Sequence, residues 1–96
     1  MILKTTNGGS NWFSQESNTP NFLNQGFFVD INTGWMCGNN GTILKTTNGG
    51  SNWISQSSGT TFYLSSINFI NILTGWAAGL NGTIHKTTNS GQTGFP

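Results

Sequence analysis

Few side chains in this 96-residue chain can do acid–base or covalent chemistry. They are two carboxylates (Glu16, Asp30), one thiol (Cys37), one imidazole (His85), one phenol (Tyr63) and three ammonium groups (Lys4, Lys45, Lys86). There is no arginine. A glycosidase needs two carboxyl groups roughly 5–10 Å apart across the scissile bond. Glu16 reads as a loop residue and Asp30 as the end of a strand. Asp30 also stands where Asn71 stands later in the chain, which points to turn capping rather than acid–base work. Cys37 stands where Ala78 does, so a small, packed, inert thiol is expected. His85 stands where Leu44 does, at a core edge or in solvent. One cysteine, one histidine and two distant acids make a poor ligand set for a metal. The chain is therefore expected to be no enzyme, with no catalytic residue, no metal and no cofactor.

Charge excludes further classes. The formal net charge is +1 at pH 7, and charged residues make up 5% of the chain. Nucleic-acid binding releases counterions through clustered basic side chains, and no such cluster exists. No polybasic stretch is present for an acidic membrane, and no run of eighteen apolar residues could span one. No signal peptide is legible at "MILKTTNGG", and the compartment cannot be read. Asn, Ser, Thr and Gln must keep the surface wet, and so neutral a surface favours association. Lys4, Lys45 and Lys86 recur at equal intervals and read as a solvated rim, or a weak anion site. Trp35 and Trp76 recur too. They could stack on sugar rings, but packing between neighbouring units is the better account of a repeating aromatic.

That recurrence leads to the elements that must hold these residues. "ILKTTNGGSNW" occupies 2–12 and, unchanged, 43–53, with a worn version, "IHKTTNSGQTGF", at 84–95. Ile2, Ile43 and Ile84 therefore recur at one constant interval of forty-one positions. The same offset carries "GWMCGNNGTILKTT" (34–47) onto "GWAAGLNGTIHKTT" (75–88). Inside one unit the pattern gives four short strands near 22–29, 34–38, 42–47 and 52–56. "NTG", "NNG" and "NGG" punctuate them with turn residues that tolerate positive φ. Asn40-Gly41-Thr42 and Asn81-Gly82-Thr83 fit a glycosylation pattern, but a hairpin turn suffices. A four-stranded antiparallel meander with a period of about 40 residues has the size of a β-propeller blade. The expected fold is all-β, with about two blades per chain: a partial blade at 1–20, a full blade at 21–61 and a partial blade at 62–96.

The repeated phrase resembles the Asp-box, or BNR repeat, whose pattern is Ser/Thr-x-Asp/Asn-x-Gly-x-x-Trp. Thr5, Asn7, Gly9 and Trp12 fit it, as do Thr46, Asn48, Gly50 and Trp53. The third copy keeps Thr87, Asn89 and Gly91 but has Gly94 where tryptophan belongs. The longer string "GWMCGNNGTILKTTNGGSNW" resembles the repeat of Ycf48-type photosystem assembly factors. The resemblance implies a propeller; sialidases, glycoside hydrolases, sorting receptors and assembly factors all share such repeats. A sialidase would need arginines around its substrate carboxylate, and this chain has none. In each box the asparagine is expected to accept backbone N–H groups and the tryptophan to begin the next strand, tucked under the hairpin. The third clip is expected to be weaker, with a fraying tail.

Propellers close with four to eight blades, and closure protects the sheet edges. Just over two repeats fall short. The expected function is a non-catalytic scaffold or interaction module whose partner includes itself, in a cyclic head-to-tail ring of two to four chains. The ring expectation has a phase. Strands near 62–79 would pair with residues 2–16 of another copy, and segment 83–96 would compete with 1–14 for one slot. Alternatives are a carbohydrate-binding module using Trp35 and Trp76, or a piece of a secreted glycoside hydrolase or sialidase-like propeller. A protein or glycan ligand is open; nucleic acid and membrane insertion are not expected.

Overall fold

The structure is a computed structural model and describes residues 2–15 and 21–91. Glu16 and the tail beyond Gly91, where fraying is expected, lie outside the described residues. Three antiparallel sheets follow one another along the chain. The first is a hairpin of β1 (Ile2–Lys4) and β2 (Phe13–Gln15). The second is the meander β3 (Leu23–Phe28), β4 (Gly34–Gly38), β5 (Ile43–Thr46) and β6 (Ile54–Gln56). The third holds β7 (Leu64–Phe69), β8 (Gly75–Gly79) and β9 (Ile84–Thr87). The middle sheet is thus a whole blade. The first sheet supplies the last two strands of a preceding blade and the third sheet the first three of a following one.

Local chemistry sets the strand limits. Asp30 Oδ1 accepts the backbone N–H groups of Asn32 and Thr33, both at 2.8 Å, and turns the chain from β3 into β4. Asn71 does the same for Leu73 and Thr74 between β7 and β8. Between β4 and β5 a short 3-10 turn, Asn39–Gly41, carries Asn40 at φ 58° and Gly41 at φ 67°. Leu80–Gly82 repeats it, with Asn81 at φ 59°. These left-handed positions are the reason the turns are spelled with Asn and Gly. The observed β6 starts later than the expected 52, because Asn52 is still held in the preceding turn by Asn48.

The core lies between the second and third sheets. Trp35, Cys37 and Ile43 from the middle blade pack with Leu64, Ile67, Phe69 and Ala77 from the next. Strand β3 lies against β7, and β4 also reaches β7. Side-chain amides tie the two first strands: Asn24 Nδ2 donates to Leu64 O at 2.9 Å, and Gln25 Oε1 accepts Ile67 N at 2.8 Å. No helix among the described residues is long and apolar enough to cross a membrane.

Candidate functional site

Each box builds a closed turn after the third strand of its blade. In the middle blade Thr46 Oγ1 accepts Gly50 N at 2.9 Å and donates to Asn48 Oδ1 at 3.0 Å. Asn48 Oδ1 then accepts Asn52 N at 2.9 Å, and Asn48 Nδ2 donates to Asn52 Oδ1 at 2.9 Å. Thr5, Asn7, Gly9 and Asn11 repeat every bond in the first copy. In the third, Thr87 Oγ1 bonds Asn89 and Gly91 in the same way. The threonine hydroxyl is therefore the hub of the clip. The pattern points to the asparagine as acceptor; the hydroxyl's share and the bond to the second asparagine of "NGGSN" show only in the folded turn. The tryptophans sit one residue before their strands, not at the first strand position. Trp53 is buried and meets Phe28 edge-to-face at 6.0 Å. Trp12, in an identical phrase, is 58% exposed.

The joint between the middle and last blades converges on one turn. Trp35 stacks on Phe69 with ring centroids 3.5 Å apart and planes 10° from parallel. Its Nε1 donates to Ser90 O at 3.3 Å, and Gln56 Nε2 donates to the same carbonyl at 3.2 Å. Lys45 lies 5.6 Å from the Trp35 ring centroid and donates from Nζ to Ser90 Oγ at 2.7 Å. A cation over an indole face is drawn to the ring quadrupole, and burial lowers the Lys45 pKa. Lys4 makes the matching reach one blade earlier, from Nζ to Gly49 O at 2.7 Å. Both lysine bonds span 45 residues, one repeat plus four. Lys4 and Lys45 are thus neither a solvated rim nor an anion site: each crosses to the clip of the following blade.

The remaining candidates are placed as follows. Trp35 has no exposed surface to offer a sugar; of the pair, Trp76 alone is partly open, with Lys86 Nζ 5.7 Å from its ring centroid. Cys37 is fully buried, its Sγ donating to Leu64 O at 3.7 Å. Burial pushes its pKa up to about 11, partly offset by a backbone hydrogen bond from Gln25. Asp30 is committed to its turn. Among the described residues no three His, Cys, Asp or Glu side chains gather to hold a metal ion. An apolar recess lies beside the first hairpin. It is a cavity of about 520 Å³ bounded by residues 2–5 of the hairpin, the 28–31 turn and Gly49.

Blades, clips and lysine joints all repeat with one period, and residues 4–94 match the family described as Photosynthesis system II assembly factor YCF48. The chain belongs to that family. Its fold is similar to the solved structure "YCF48 bound to D1 peptide", with a TM-score of 0.71 and 26% sequence identity over 79% of this chain. The match covers 25% of that protein, so the chain spans about a quarter of the YCF48 it resembles. No curated protein sequence matches it. The all-β propeller architecture read from the sequence repeat is the architecture of a YCF48 segment.

Proposed function

We propose that this chain is a non-catalytic protein-binding module that works within a closed ring of blades built from two to four copies. The observation that carries the reading is the joint, which recurs with an equivalent lysine and the same 45-residue reach at Lys4–Gly49 and Lys45–Ser90. An interface repeated within a chain serves equally well between chains, and head-to-tail repetition closes when the rotation allows. The catalytic alternatives have little to work with: the described carboxylate caps a turn and the thiol is buried and protonated. The similar YCF48 binds a D1 peptide, which supports an extended polypeptide as the partner of the assembled ring. Single-turnover chemistry is not needed for that role; a rigid polar surface is.

The binding half of this reading is tested by titrating a fluorescent D1 peptide with the full chain and following anisotropy, with a scrambled peptide as control. Saturable binding of the D1 sequence alone supports it. Equal binding of both peptides, or of neither, overturns it.

A further inference from the structure

Among the described residues one joint is filled and one is open. In the filled joint Trp35 lies against Phe69, beneath Lys45 and beside the Ser90 carbonyl. One repeat earlier these partners become Phe28, Lys4 and Gly49. All three line the 520 Å³ cavity, and Lys4 reaches Gly49 across the same span as Lys45 reaches Ser90, but donates to the carbonyl because glycine has no hydroxyl. Gly49 O accepts Lys4 with one lone pair and has a second available. The cavity thus has the ring, the cation and the carbonyl of a tryptophan slot. Among the described residues it lacks the tryptophan and the strand that would carry it, because β1 is paired with β2 alone.

The chain has a matching strand at its other end. Trp76 sits in β8, in "GWAAG", opposite Lys86 in β9, as Trp35 sits in "GWMCG" opposite Lys45 in β5. We propose that β8 of one copy pairs with β1 of a second copy, so that Trp76 enters the slot between Phe28 and Lys4 and points its Nε1 at Gly49 O. This rests on the assembly reading above and names its contact.

The exchange displaces β9 of the first copy, and the residues favour it. Ile2, Leu3 and Lys4 of β1 correspond to Ile84, His85 and Lys86 of β9. In the complete blade the middle position is Leu44, which is buried. Strand β1 therefore brings the fitting aliphatic side chain where β9 brings an imidazole, a polar group that is costly to bury. Strand β1 also brings β2, the fourth strand that β9 lacks among the described residues. The exchange covers Trp12 as well. Phe69 of the first copy takes the place over Trp12 that Phe28 takes over Trp53. Swapping an equivalent element between protomers reuses native contacts and builds few new ones.

Native mass spectrometry of the full chain tests this, alongside Trp76→Ala and Phe28→Ala, with far-UV circular dichroism to check that each variant keeps its β-sheet. The wild type is expected as a closed multimer and each variant as a single chain. An equal mixture of the two variants is expected to give a two-chain species, because one keeps an intact slot and the other an intact tryptophan. A wild type that stays single at all concentrations overturns the assembly reading and the contact with it. A multimer that survives both substitutions leaves assembly standing and sinks the contact. Strand choice is read from a matched pair, since proline removes a ladder donor. Leu3→Pro should abolish the multimer and His85→Pro should leave it; the reverse pattern overturns the displacement of β9.

Discussion

At the scale of single residues, the clip depends on one hydroxyl. Thr46 Oγ1 satisfies a buried amide at Gly50, and a buried donor left without an acceptor costs about 1–3 kcal/mol. Thr46→Val should lower stability by about that amount, whereas Thr5→Val, whose turn is more open, should cost less; urea titration of both separates them. Cys37 makes a pH prediction. Its thiol is held up to about 11 in the fold against an ordinary value of 9.0. The folded state therefore favours the protonated form. Its contribution is fully present below pH 9 and is lost as pH rises through 11, by proton linkage between the folded and unfolded states. Wild type minus Cys37→Ala, measured by urea midpoint between pH 8 and 11, should show stability falling with pH; a flat difference contradicts the burial argument. Alanine is the natural control, since Ala78 fills that position in the next blade.

At the scale of elements, strand identity was legible because turns announce themselves. Asn beside Gly marked the turns on either side of β5, and alternation within "TILKTT" marked the strand. What could not be read was any contact that leaves its own repeat. A lysine that reaches one repeat plus four residues looks, within a single unit, like a polar residue on a strand face. The stacking of Trp35 on Phe69 was expected only in kind, because nothing in the spacing of aromatics says which ring meets which. Close backbone approaches were equally silent. A Cβ on Gly38 would lie 1.9 Å from Phe22 O, and on Gly79 it would lie 2.0 Å from Tyr63 O. Gly38→Ala should therefore abolish the cooperative melt. At Gly8 a side chain would meet nothing, and only the left-handed backbone is disfavoured. Holding one L-residue there costs roughly 1–2 kcal/mol, so Gly8→Ala should lose no more than that. Circular dichroism melts of the two variants make the comparison direct.

At the scale of the whole molecule, the two joints are not equal. Asn24 and Gln25 bridge the first strands of the middle and last blades, and Ser65 and Ser66 occupy their places one repeat later. Serine is too short for the same reach; Ser65 Oγ turns back to Ala78 O instead. A joint between copies would then rest on Trp76 and a lysine, without the inner amides. Ser65→Asn combined with Ser66→Gln should shift the dilution midpoint of the multimer at least several-fold toward lower concentration, as followed by analytical ultracentrifugation. An unchanged midpoint would mean that the inner strands of separate copies do not meet.

Ser90 couples the last turn to its neighbour. Its φ of 66° lies where the two earlier clips have glycine, and a serine backbone adopts that region reluctantly. What holds it there comes from elsewhere: Trp35 and Gln56 on its carbonyl, Lys45 on its hydroxyl, and Leu73 O accepting its amide. Three of those four partners belong to the previous blade. The last turn should therefore be held only while its neighbour is folded, and should open with it. In hydrogen exchange, which reads local opening, the Gly91 amide held by Thr87 should open with the middle blade's strands and not before them. Loosening Trp35 by substitution should unprotect a turn 55 residues away.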